Sequence, residues 1–152
     1  MENLVCGEQH DNEFTLSGSD FLVLDGEYPT VVIGDYSAEA TAALGCEALE
    51  GPAGGEKCTT LTFAMPAYTL DNNVYGVFVT NPAPANCVST EVVEIEVVGP
   101  PLLDEVIPNL FCDDQGDTSF TLNGTGFLVL MDGTLPDLAM GGYSAAADGA
   151  ED

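Results

Sequence analysis

Positive charge is almost missing from this chain. Arginine and tryptophan are absent, and Lys57 and His10 are single occurrences among 152 residues. Phosphate recognition needs cations, so nucleic acid and anionic membrane surfaces are poor partners. A serine-type catalytic centre needs a histidine base held by an acid. One histidine and no Gly-x-Ser-x-Gly leave little from which to build it. No Cys-x-x-Cys pair exists, which removes the usual zinc spacing. No apolar run approaches the ~20 residues that span a bilayer as a helix. No basic-then-apolar leader opens the chain, so Met1 reads as the initiator of a fragment whose targeting information lies upstream. These absences predict a protein that is not an enzyme.

What is plentiful is acid. Asp and Glu number 26, and the formal net charge is −25. Two readings follow: a solvated, self-repelling surface, or a surface suited to high salt or divalent cations. Hydrophobic residues make up 45% of the chain, enough to build a core. Nine prolines and 17 glycines punctuate short apolar runs, and that rhythm predicts an all-β architecture.

The sequence repeats. NLVC at 3–6 returns as NLFC at 109–112, and EFTLSGSDFLVLDG at 13–26 returns as SFTLNGTGFLVLMDG at 119–133. Pro29, Gly34, Tyr36, Ser37 and Ala38 return as Pro136, Gly141, Tyr143, Ser144 and Ala145. The offset is 106 from Cys6 to Cys112 and 107 from Pro29 to Pro136, with one residue inserted near Met131. A period of this size is a domain, because ~100 residues can enclose a core of their own. Residues 1–99 therefore read as one nearly complete copy and 100–152 as the N-terminal part of a second.

The phase of the repeat is uneven. The second copy opens with PPLLDEVIP at 100–108, for which the first has no counterpart. The second copy has no counterpart of Cys46 to Val98. The expectation is a piece of a longer array, or a subunit that neighbouring molecules complete. Period-two alternation marks the strands. Phe14 and Leu16, Val31 and Ile33, Leu61, Phe63 and Met65, Tyr75, Val77 and Val79, and Val93, Ile95 and Val97 are the inward candidates. Some seven short strands of this kind predict a two-sheet sandwich of the immunoglobulin type.

TLSGSDF at 15–21, TLNGTGF at 121–127, the Asp-Gly-x-x-Pro turn and YGVFVTNP at 75–82 together resemble the IPT/TIG family of immunoglobulin-like domains. The likeness covers the first copy and all of the second that is present. It implies a β-sandwich used as a spacer, an adhesive or a protein-binding module. The cysteine-bearing form resembles tandem repeats of large bacterial surface proteins, which implies an extracellular, cell-surface setting. Family members with basic loops serve in transcription factors, and this chain departs from that use. Within the pattern, Gly18 and Gly124 would allow a kink in a long strand. Phe21 and Phe127 would fill the core beyond it, and Tyr75 would bond its hydroxyl to nearby backbone.

Five cysteines remain: Cys6, Cys46, Cys58, Cys87 and Cys112. Four lie in the first copy, and four allow three pairings. In an immunoglobulin-like sandwich the early and last strands run side by side, which favours Cys6–Cys87. Cys46 and Cys58 flank GPAGG and favour a closed loop. Cys112, the counterpart of Cys6, is left unpaired or available to another chain. Asp113, Asp114 and Asp117 crowd one loop and form a candidate calcium site, although their spacing is not that of an EF-hand. No other cofactor is expected.

Two functional classes follow. The first is a non-catalytic structural or adhesive repeat of a stalk, adhesin or filament, with neighbouring repeats or other copies as partners. Here the segment Leu102, Leu103, Asp104, Glu105, Val106 and Ile107 would add as a strand to an open sheet edge. The second is a glycan- or protein-binding accessory module of a secreted enzyme or receptor. It would need an exposed aromatic platform on loops, and the free aromatics Tyr28, Tyr36, Tyr68 and Tyr143 are too scattered in the sequence to show one.

Overall fold

The structure, a computed structural model, describes residues 3–8, 11–51, 54–112 and 116–150. Thirteen strands and no helix form among them. The chain divides into two compact units, Met1–Gly99 and Pro100–Asp152.

The first unit is a β-sandwich. Its strands are β1 (Leu4–Cys6), β2 (Asn12–Val23), β3 (Thr30–Ile33), β4 (Tyr36–Glu39), β5 (Ala42–Leu44), β6 (Glu47–Ala48), β7 (Glu56–Met65), β8 (Asn73–Thr80) and β9 (Val93–Val98). One sheet has the order β1-β9-β8-β3-β4, and the other has the order β2-β7-β5 with β6 also on β7. Only β1 with β9 is parallel; the other pairs in these sheets are antiparallel.

Alternation decides which side chains meet between the layers, since successive residues of a strand point to opposite faces. Val31 and Ile33 of β3, Leu61, Phe63 and Met65 of β7, Val77 and Val79 of β8, and Ile95 and Val97 of β9 are buried in one cluster. Val93 departs from the expectation and lies half exposed. It opens β9, where the pairing with β8 ends at Val77. The rings of Phe14 and Phe63 stack with centroids 4.9 Å apart across the β2–β7 pair. The Tyr36 hydroxyl donates to the Ala64 carbonyl at 2.9 Å and links β4 of one sheet to β7 of the other. The Tyr75 hydroxyl donates to the Asp71 carbonyl at 3.0 Å, the backbone bond expected of it.

The second unit repeats part of this plan with β10 (Leu102–Ile107), β11 (Thr121–Thr125), β12 (Asp137–Met140) and β13 (Tyr143–Ala146). The β12–β13 hairpin pairs Leu138 with Ala145 and Met140 with Tyr143. The β3–β4 hairpin pairs Val31 with Ala38 and Ile33 with Tyr36, the same register one repeat earlier. Burial does not repeat with it. Val31 and Ile33 are wholly buried, whereas Met140, the counterpart of Ile33, is 52% exposed. Phe127 does not fill a core as expected. It stays partly exposed and, with Pro101, Leu130, Leu135 and Pro136, lines an open groove of about 270 Å³. The β12–β13 hairpin forms locally, but the described residues of this unit supply no second layer over it.

Candidate functional site

The feature that distinguishes this molecule chemically is a sheet edge. β2 pairs with β7 through Asn12↔Met65 to Val23↔Glu56, and it ends its sheet on the other side. Over Thr15–Ser19 no described strand pairs with that outer edge. Unpaired strand edges carry a row of main-chain donors and acceptors ready for another strand.

The edge is shaped by the Thr-Leu-x-Gly-x-x-Phe stretch. Between Ser17 and Phe21 the register with β7 slips: Ser17 faces Thr60, and Phe21 faces Cys58. The surplus residues bulge, and Asp20 takes a left-handed φ of 63°. The bulge folds the Phe21 ring back over Gly18, where a Cβ would lie 2.7 Å from the ring. Asn81, at the end of β8 in the opposite sheet, holds this bend. Its side-chain oxygen accepts from the Leu22 amide at 2.9 Å, and its side-chain nitrogen donates to the Asp20 carbonyl at 2.9 Å. The sequence by itself does not assign this role to Asn81. The signal lay in its place within the Tyr-x-Val-x-Val-x-Asn-Pro stretch.

Lys57, the chain's one lysine, sits against this bend. Its ammonium lies 2.7 Å from an Asp20 carboxylate oxygen. The hydrogen bond from Lys57, with help from Ser19 and the lysine's charge, holds the Asp20 carboxyl below its ordinary value. The same bond raises Lys57. Both groups are exposed, so the pair is screened.

In the second unit the equivalent strand, β11, already has a partner. β10 pairs antiparallel with β11 as Leu102↔Thr125, Leu103↔Gly124, Glu105↔Asn123, Val106↔Leu122 and Ile107↔Thr121, with a bulge at Leu103/Glu105. The Asn123 amide donates to the Glu105 carboxylate at 3.2 Å. The Phe127 ring lies over Gly124 as Phe21 does over Gly18. A Cβ on Gly124 would also collide with the Leu102 carbonyl oxygen, so glycine is what lets β10 approach. Around Gly18 the three nearest atoms all belong to Phe21, and among the described residues no carbonyl comes as close as that of Leu102 does at Gly124.

The structure disposes of the other sequence candidates differently. Cys46 and Cys58 form a disulfide with Cα atoms 3.9 Å apart, and Cys58 is fully buried. Cys6–Cys87 does not form; both thiols are free, as is that of Cys112. The expectation placed Cys87 beside β1, but topology separates them. Cys6 ends β1 beside Val98, near the start of β8, while the Cys87 carbonyl accepts from the Asn81 amide just past the end of β8. The eight residues of β8 intervene, which at ~3.3 Å per residue is roughly 25 Å, far beyond the ~7 Å limit for a disulfide. Asp113, Asp114 and His10 lie outside the described residues. Asp117 is exposed, and no group of three or more metal-ligating side chains gathers among the described residues. Tyr28 and Tyr36 pack against the core cluster, which leaves Tyr68 and Tyr143 exposed in different units. No described helix is long and apolar enough to cross a membrane. Comparison with family models, curated proteins and solved structures finds no match to the chain.

The disulfide fits a non-reducing environment. Chemically, the edge offers a strip of main-chain donors and acceptors that no described strand pairs, with Gly18 within it.

Proposed function

We propose that this chain is a non-catalytic, extracellular structural or adhesive repeat of the immunoglobulin-like, IPT/TIG type, part of a surface stalk, adhesin or filament. Its partners are neighbouring repeats and other copies of itself. The observation that carries this reading is the recurrence of one strand plan in both units. The same sequence segments form β3–β4 and β12–β13 in the same register, and β2 and β11 carry the same glycine–phenylalanine bend. Repetition of a scaffold with a period of one domain serves extension more directly than it serves a unique cleft. The Cys46–Cys58 bridge supports an oxidising compartment. The glycan- or protein-binding alternative is less well supported, because two of its four tyrosines are engaged in the core.

Mechanical extension of a genetically joined series of the full chain tests the reading. The expected result is a set of cooperative unfolding steps of equal contour length, one per copy. Featureless extension without such steps would remove the structural-repeat reading.

A further inference from the structure

We infer that the outer edge of β2 is the acceptor for β10 of a second copy of this chain, in the register that β10 already keeps with β11. The inference rests on the structural-repeat reading and names the partner and the pairing. Moving the observed register back by one repeat gives Leu102↔Ser19, Leu103↔Gly18, Glu105↔Ser17, Val106↔Leu16 and Ile107↔Thr15.

Three observations converge on it. The acceptor stretch Thr-Leu-Ser-Gly-Ser at 15–19 matches Thr-Leu-Asn-Gly-Thr at 121–125, on which β10 is seated. Gly18 keeps the feature that admits the Leu102 carbonyl at Gly124, an absent Cβ beneath a folded-back phenylalanine, and in the first unit no described residue fills that place. Finally, β10 has little to pack on where it is: Leu102, Leu103 and Ile107 are 62%, 57% and 47% exposed. Moving from β11 to β2 exchanges one set of main-chain hydrogen bonds for an equivalent set. The difference lies in the apolar side chains. Leu103 and Val106 would share a face with Gly18 and Leu16, and Leu16 packs against the finished core. Each copy carries one donor and two edges of the accepting type among its described residues. Donation can therefore pass from copy to copy as a head-to-tail contact.

The test is disulfide trapping between separately made chains. Cys6, Cys87 and Cys112 are first changed to Ser, and Cys46–Cys58 is kept. A Thr15→Cys chain is mixed with an Ile107→Cys chain under mild oxidation at physiological salt. These positions face each other in the inferred register, within the Cα spacing that a disulfide accepts. The expected result is a cross-linked heterodimer, at ~10-fold higher yield than from Thr15→Cys mixed with Leu102→Cys, whose positions lie at opposite ends of the pairing. A third chain carrying Ile107→Cys with Thr121→Cys ties β10 to its own β11 and should abolish association in sedimentation velocity. Equal yields from the two mixtures, or association that survives the internal tether, overturns the inference. If the chain stays monomeric while joined copies still unfold in equal steps, strand donation fails and the structural-repeat reading stands. Loss of the equal steps would instead strike at that reading itself.

Discussion

Asn81 shows how much one polar side chain can organise in a sandwich. It reaches from the end of one sheet to the bulge of the other and supplies both a donor and an acceptor there. Replacing it with Ala strands the Leu22 amide, which is part-buried. The expected cost is about 1–3 kcal/mol of unfolding free energy, read by urea denaturation of the full chain. Asp20, on the same bulge, should titrate below its ordinary value, and Lys57→Met should move it back toward that value in an NMR titration, with the Ser19 hydrogen bond still lowering it. The sign follows from linkage. Because the folded pKa is depressed, the contribution is present above the ordinary carboxylate value and is lost as pH falls through the lower folded one. For Lys57 the folded pKa is raised, so its contribution holds at neutral pH and disappears only as alkaline pH passes that raised value.

Among the elements, β7 bears most of the architecture. It pairs with β2, β5 and β6, and its Cys58 anchors the bridge to Cys46. The bridge closes a separation of 12 residues. Replacing both cysteines with Ala should lower stability by ~3 kcal/mol, mostly by loosening the unfolded chain, and thermal denaturation measures it. The fate of Cys6 and Cys87 gives a companion test. Iodoacetamide labelling of the folded, unreduced chain followed by peptide mass mapping should modify Cys6, Cys87 and Cys112 and spare Cys46 and Cys58. Cys87 and Cys112 should react faster than the half-buried Cys6. Recovery of a Cys6–Cys87 cross-linked peptide would contradict the strand order described for the first unit.

For the whole molecule, charge sets the conditions of assembly. Copies with a formal net charge of −25 and a single lysine repel one another. Raising ionic strength from ~10 mM to ~150 mM shortens the Debye length from ~30 Å to ~8 Å. Association measured by sedimentation should therefore strengthen with salt. Weakening with salt would mean that attraction between opposite charges drives it. Calcium should act in the same direction as other salts at equal ionic strength, and a calcium-specific gain would reveal a dedicated site.

The all-β class, the repeat and the inward positions of β3, β7 and β8 were legible in the sequence, because alternation and turn residues act over a few neighbours. The Asp25–Gly26 turn illustrates this. Both residues take left-handed φ angles, 53° and 85°, and Leu24 and Glu27 close the turn around them. The sequence also favoured the Cys46–Cys58 pair, whose partners are close along the chain. Only the tertiary structure decided the rest. The Cys6–Cys87 pairing failed because strand direction and order, which single-chain periodicity does not encode, put those thiols at opposite ends of β8. The task of Asn81 depends on Asp20 and Leu22, residues distant in sequence. Local patterns specify strands, whereas edges and bridges depend on which strands become neighbours.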